Sequence, residues 1–514
     1  MNKWDLSGAL NGADPAFVEA AAPEKLRESL ITEETEAAAA EDGSLFRRVL
    51  KKTKAAFRKH KALRVALPIA TMLALALILE GSFHITSGLT IKAYAMAQAE
   101  HPEKDGRASQ AKQEAYRQKV ADAQGSGREL DAFFADSMAE VLGAAGDTEE
   151  HKNQLYSPLN AYMALAMLAE CTGGESRAEI LQLLGAESIE ALREQASAIY
   201  LANSLDSKEA KSVLYNSIWL DQSLSYNENT VKTLADTYYA SSFRGEMGSE
   251  GYNRALRTWL NEATDGLLDK RYINGVGMTP NTVISLVSAL NLDVKWDIFK
   301  KNDSFSGTFY TMDDRKSVTY MNSVIESGFY VQSEEKFTAV SVTLGGGLKM
   351  WLILPYMSLP GVMSSADPRD LLTDESYQAF VKALIRGELS GEGSLGEDLA
   401  WRNGNVHLTL PRFDITAEND LKESLRRLGV NKVLSMDADF SALTAEDAYL
   451  SEFKQAARLI ADEEGIRAVS FTFARADLKA ALPDEITLVF NRPFLFILTS
   501  PDNLPLYAGI VYEP

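Results

Sequence analysis

"ADEEGIRAVSFTFARADLKAALPDE" occupies residues 461–485. It is strand-prone, bordered by acid, and longer than the about 3–10 residues of an ordinary strand. From Ile466 onward, alternate positions read Ile466, Ala468, Ser470, Thr472, Ala474, Ala476 and Leu478, none of them charged. The intervening Arg467, Val469, Phe471, Phe473, Arg475, Asp477 and Lys479 carry every charge in the run. Successive strand side chains point to opposite faces, so this stretch can enter a sheet with one uncharged, mostly small face inward. No proline interrupts it before Pro483. The stretch is built to become a strand.

The rest of the chain is long enough to hold a large core around such a strand. It has 514 residues, 46% of them apolar and 24% charged, a globular composition whose length predicts more than one part. The net charge of −20 is unevenly spread: residues 1–42 carry −7, residues 43–64 carry +9, and the remainder carries −22. An acidic main body excludes nucleic acid as a partner, because phosphate binding needs clustered Lys and Arg. The single Cys171 excludes an internal disulfide and reads as a small buried apolar residue.

"VALPIATMLALALIL", residues 65–79, is almost pure hydrocarbon and extends to Phe83 through Glu80. With flanks it approaches the roughly 20 residues of a spanning helix, which tolerates a proline such as Pro68. Nine bases and no acid lie between residues 43 and 64. That excess predicts a cytoplasmic N-terminus and an outside location for everything after the span. The division expected is a cytoplasmic tail at 1–63, a transmembrane helix at 64–83, a juxtamembrane linker at 84–127 and a folded domain at 128–514. A cleaved signal peptide, with "AYA" at 93–95 or "AQA" at 97–99 as the small-residue site, is the alternative. Its apolar run would start much later than in a leader of about 15–30 residues.

Signs of enzyme chemistry are lacking. The histidines, His60, His84, His101, His151 and His407, show no i,i+4 spacing, and one cysteine cannot build a metal cluster. There is no G-x-S-x-G elbow and no phosphate-binding loop. "GGG" at 345–347 sits between two apolar runs and reads as a hairpin turn, and His407 reads as a structural residue on a strand. No catalytic residue, cofactor or metal is expected.

Several segments then fall into one order. "LYSPLNAYMALAMLAECTGGESRAEILQLLG" (155–185) has apolar residues at helical spacing after Ser157-Pro158. "TVISLVSALNLDVKW" (282–296) is apolar enough for a strand buried on both faces. "LPRFDITAENDLKESLRRLGV", "ADFSAL" (438–443), "EEG" (463–465) and "FNRPFLFILTSPDNLPLYAGIVYEP" follow, the last as two antiparallel strands. Together these segments, spanning residues 128–514, resemble the serpin family. The resemblance implies an α+β fold of three β-sheets wrapped by helices, with an exposed reactive loop near the C-terminus.

It also implies a mechanism. The loop is bait; a target protease attacks one bond, and the freed loop inserts into the largest sheet as a new strand, carrying the acylated protease with it. The hinge is then Glu463, Glu464, Gly465 and Ile466, and the inward face of the loop is Ala468, Ser470, Thr472 and Ala474. Counting fourteen residues on from Gly465, as the family does, puts the attacked bond at Lys479–Ala480, with Arg475 as the other candidate. Either side chain suits a trypsin-like protease with a carboxylate in its specificity pocket. A polar cluster beneath the opening strands matches Ser157, Asn160, Ser288 and Gln455, where the family favours Ser, Ser, Asn and His. Ile466 departs from the small residue that the family places after the hinge glycine, and a stiff β-branched side chain there predicts slower insertion. Two functions follow: a membrane-displayed serine endopeptidase inhibitor, or a non-inhibitory serpin-fold surface module that binds or senses. A cysteine-protease inhibitor is a nearer variant of the first.

Overall fold

In a computed structural model, the structure describes residues 94–97, 110–144, 151–206, 210–267, 273, 275–296, 298–356, 367–450, 453–465 and 484–514. The expected span at 64–83 and the tail at 1–63 lie outside these residues. So do Ile466, Ala468, Ser470, Thr472, Ala474, Lys479 and Ala480. Among the described residues no helix is long and apolar enough to cross a membrane.

Strands are numbered along the chain. A first sheet contains β1 (Tyr94–Ala97), β3 (Leu205–Asp206), β4 (Ala210–Asp221), β5 (Ala240–Gly245) and β6 (Ile284–Val294). β4 is its spine: β5 runs parallel to it over Asn216–Asp221, and β6 pairs antiparallel along its other edge from Ala210 to Leu220. β1 adds antiparallel to β5, with Tyr94 opposite Arg244. It does so from upstream of residue 128.

Among the described residues the second ladder has ten strands: β2 (Gln154–Tyr156), β7 (Phe305–Tyr310), β8 (Arg315–Ser333), β9 (Phe337–Thr343), β10 (Lys349–Pro355), β11 (Gly393–Leu395), β12 (Leu399–Pro411), β15 (Glu485–Val489), β16 (Phe494–Thr499) and β17 (Pro505–Val511). β8 is long enough to serve two layers. Its first part pairs with β7 and the end of β12, which also holds β15; its last part lies between the start of β12 and β9. The ladder shifts register between Gly404 and Val406, where the layers part. As expected, Gly345–Gly347 turns β9 back into antiparallel β10, and β16 and β17 form the closing hairpin. Among the described residues β13 (Phe413–Asp420) and β14 (Lys454–Ala461) pair only with each other. The α+β architecture expected from the sequence is therefore present.

Helices wrap these sheets: α1 (Gln110–Ala123), α2 (Asp131–Ala144), α3 (Pro158–Cys171), α4 (Gly174–Leu183), α5 (Ile189–Asn203), α6 (Glu228–Tyr238), α7 (Glu250–Ala263), α8 (Glu375–Arg386) and α9 (Lys422–Arg427). α3 decides the layering. Pro158 opens it at the first helical position, where a missing N–H is harmless. Every residue from Pro158 to Cys171 is buried, as an apolar-all-round helix must be. It packs against β6 on one side and β17 on the other. The helical pattern at 155–185 breaks at Thr172-Gly173 into α3 and α4. Cys171 is buried as expected, and burial pushes its thiol pKa up. The last turn of α3 buries Glu170, which Arg193 holds through Nε at 2.8 Å. A buried charge is tolerable only when paired in this way.

One strand departs from expectation. β6 was to be buried on both faces, yet Ile284–Ser288 is only half-buried, and burial is complete only from Ala289 to Leu292 and at Val294. Its outer edge has no strand partner among the described residues. Missing cover on that side, not composition, keeps the first half of β6 partly wet.

Close packing beneath the sheets predicts a sharp penalty at Gly509 on β17. A Cβ there would lie 2.5 Å from the Gln154 carbonyl oxygen and 2.7 Å from the Phe496 ring. Gly509→Ala should lower stability by about 1–3 kcal/mol, the usual range for overpacking. The denaturant unfolding midpoint measures it, and an unchanged midpoint would contradict the packing.

Candidate functional site

β6 and β14 run side by side in the same direction without pairing. Their C-terminal ends meet where Trp296 Nε1, just past β6, donates to the carbonyl oxygen of Asp462, just past β14, at 2.7 Å. Lower down, Ser288 of β6 and Gln455 of β14 reach the same helical turn of α3. Between them no backbone ladder joins the two strands among the described residues. The result is a seam, closed at the top and unzipped below.

The top is built by the turn after β14. Asp462 and Gly465 bridge each other, with Gly465 N donating to Asp462 O at 3.1 Å and Asp462 N to Gly465 O at 3.2 Å. Gly465 has φ +122° and presses on the end of β6: a Cβ would stand 2.5 Å from Lys295 Cα and 2.6 Å from Val294 O. Only glycine satisfies both the dihedral and the contact.

Glu463, with its side chain 2% exposed, fixes the turn from below. Arg412, between β12 and β13, donates to its Oε1 through Nε at 3.0 Å and Nη2 at 2.5 Å. Ser304 Oγ, ahead of β7, donates to the same oxygen. Burial pushes the carboxyl pKa up, but the hydrogen bonds from Arg412 and Ser304 outweigh it and hold the group below its ordinary value. Glu464 instead points outward and pairs with Lys301. Its backbone N donates to Asp462 Oδ1 at 2.8 Å.

The polar cluster forms as two separate halves. Gln455 is bound on both sides by the backbone of Ser157: Ser157 N donates to Gln455 Oε1 at 2.7 Å, and Gln455 Nε2 donates to Ser157 O at 2.8 Å. Ser157 Oγ turns away and donates to Leu506 O at 2.6 Å. In the other half, the Ser288 hydroxyl lies 2.8 Å from Asn216 Oδ1 and 3.1 Å from Asn160 Oδ1. One proton serves two amide oxygens. Among the described residues no hydrogen bond of these four side chains spans the halves, so at this level each seam strand is tied to α3 rather than to its neighbour. Tyr507, rising from β17, donates to Leu290 O on β6 at 3.2 Å and satisfies a carbonyl without a strand.

All four expected cluster residues are thus brought to the seam, and the described hinge residues Glu463, Glu464 and Gly465 lie at its closed end. The sequence reading missed Asn216, Ser304, Arg412, Trp296 and Tyr507. Arg412, Trp296 and Tyr507 sit inside segments already singled out, but no local pattern assigns a side chain to a partner fifty or more positions away.

The family model described as serpin (serine protease inhibitor) matches residues 134–514. Serpin-Z2B of Triticum aestivum is 25% identical over 406 residues, covering 74% of this chain and 94% of its own. Alpha-1-antiproteinase S of Cavia porcellus is 25% identical over 390 residues, covering 74% and 89%. Among solved structures, the thermophilic serpin tengpin in its native state aligns with a TM-score of 0.61 at 23% identity, over 75% of this chain and 94% of that one. Tengpin in its latent state aligns with a TM-score of 0.58 at 23% identity, over 74% and 97%.

The Glu463 contact has a defined pH signature. A carboxyl whose folded pKa lies below the ordinary 4.5 contributes stability that is full above that value and is lost as pH falls through the depressed one. Glu463→Gln should therefore cost about 1.5–3 kcal/mol at neutral pH, the range for a hydrogen bond to a charged group. The deficit relative to the parent should hold at neutral pH and shrink on acidification below 4.5. Unfolding curves from pH 7 to about 3 measure it; a deficit that grew in acid would contradict the assignment.

Proposed function

Since this chain belongs to the serpin family, whose general activity is protease inhibition, we propose that it inhibits a trypsin-like serine endopeptidase by inserting its cleaved loop between β6 and β14. The observation that carries this reading is the seam. Two strands lie alongside each other unpaired, which is the template for strand addition. The hinge glycine sits at their closed end, so the chain leaving Gly465 can reverse into the gap, antiparallel to both neighbours. Ser288 lies six residues below Val294. A strand entering beside Val294 brings residues near 471 level with the Ser288 and Gln455 halves of the cluster. The inward-facing residues nearest that level are Ser470 and Thr472, uncharged groups able to give and accept hydrogen bonds.

The attacked bond in this proposal is Lys479–Ala480, and the domain is displayed outside the cell on a single retained span at 64–83. Positive charge at 43–64 and hydrocarbon at 65–79 support that orientation.

Three outcomes test the proposal. Purified full-length chain mixed with trypsin should form an SDS-stable complex and release a new N-terminus at Ala480 by mass spectrometry, and Lys479→Glu should abolish that cut. Cleavage after Arg475 would move the register by four residues; cleavage with no complex would favour the non-inhibitory reading.

Ala468→Arg should convert inhibitor to substrate, because an unpaired arginine buried in the seam costs several kcal/mol or more. Val469→Arg, on the wet face, should keep most trapping. Equal ratios of complex to cleaved product in the two variants would exclude insertion with this face inward.

Protease added to intact cells stripped of their wall should remove the region after residue 100 and spare residues 1–60. A protected ectodomain would overturn the topology.

A further inference from the structure

A cavity of about 370 Å³ opens where β15 lies over β9 and β10, at the far foot of the loop that joins Gly465 to Asp484. Its volume falls in the lower part of the range of small-molecule sites. One side is β15, with Ile486, Thr487, Leu488 and Val489, of which Ile486 and Leu488 share the inward face of the strand. Leu354 and Leu488 are buried, whereas Val489 is 37% exposed at the mouth. The other side is a cross-strand row on one face of the sheet, Gln332 of β8, Thr338 of β9 and Leu354 of β10, joined by Asn491 and by Tyr356, whose hydroxyl stands 2.8 Å from that of Thr338.

Arg492 sets the chemistry. It lines the cavity half-buried and donates through Nη2 to Pro355 O at 2.8 Å. Among the described residues it has no carboxylate partner. Burial pulls its pKa down, the mark of a cation short of compensating charge. A guanidinium presents a planar fork that matches a carboxylate, and a half-dry setting strengthens the pair. Beside it lies an apolar slot, so a bare inorganic anion would leave most of the cavity unfilled.

We infer that this cleft binds a small organic acid, its carboxylate on Arg492 and its flat apolar body against Leu354, Ile486, Leu488 and Val489. The site is separate from the seam and does not depend on loop insertion.

The probe is 1-naphthoate, with neutral 1-naphthamide as its uncharged counterpart, titrated calorimetrically into the purified full-length chain against a detergent blank. Naphthoate should bind one saturable site, and naphthamide at least ten-fold more weakly. Arg492→Gln should weaken naphthoate at least ten-fold while leaving naphthamide nearly unchanged. Because Arg492 also supports Pro355, a second variant guards against simple unfolding: Val489→Trp fills the mouth from an exposed position and should abolish both. The inference is overturned if the parent chain fails to bind naphthoate, if it binds the two probes equally, or if naphthoate binding survives both substitutions.

Discussion

Gly465 presses its α-carbon against the backbone at the end of β6, and beside it Trp296 bonds the Asp462 carbonyl at 2.7 Å. These two contacts clamp β6 to β14 at one end. They leave no room for a side chain and require a φ of +122°, so the clamp is specified by the absence of a group. Below it the strands diverge into separate hydrogen-bonding systems, β6 to β4 and β14 to β13. Were the clamp missing, the two edges would have no common origin, and a chain leaving β14 would have no defined course toward the gap.

What keeps the seam unpaired without collapse is a set of substitutes for the missing ladder. Tyr507 satisfies Leu290 O from beneath, and Ser157 binds Gln455 through both its backbone groups. Ser288 is spent on Asn160 and Asn216. Buried polar groups must find partners, and here they find them in α3 and β17, not across the gap. Because Ser157 and Asn160 stand on one turn of α3, the two strands share a foundation while remaining independent of each other. Under the proposed insertion a new strand would take up ladder bonds along these edges once the clamp between Trp296 and Asp462 gives way, with no ladder between β6 and β14 to break among the described residues. The half-burial of Ile284–Ser288 is the visible sign of water access to the seam.

Much of this was legible in the sequence, and the limits have physical reasons. Periodicity exposes elements whose environment is uniform: α3, buried all round, and the β16–β17 hairpin came through directly. β6 did not, since its composition asks for cover on both faces while the fold withholds half of it. Composition records what a strand can bury, not what lies beside it in one state of the molecule. The four cluster residues were found through their place in family motifs, but their division into two halves depends on which oxygen each amide faces. Arg412 and Ser304 were out of reach for a similar reason: they meet Glu463 from positions 51 and 159 residues away. Pairings at that separation are written in the topology.

In the proposed mechanism Ile466 matters more than its single position suggests. Asp462 to Gly465 is a closed turn, with Glu463 anchored to Arg412 and Glu464 to Lys301. Under the proposed insertion the chain would pivot at Gly465, and the first side chain to follow the pivot in sequence is Ile466. A β-branched residue has few rotamers with which to slip past packed backbone. Every later inward residue through Ala476 is Ala, Ser or Thr, so resistance is concentrated at the first step. In the inhibitory mechanism insertion competes with release of the acylated protease, and a barrier confined to the pivot acts on the rate of that competition rather than on its end state. In the proposed mechanism, then, a loop suited to lie in the sheet would be paired with a pivot residue that governs how quickly it gets there.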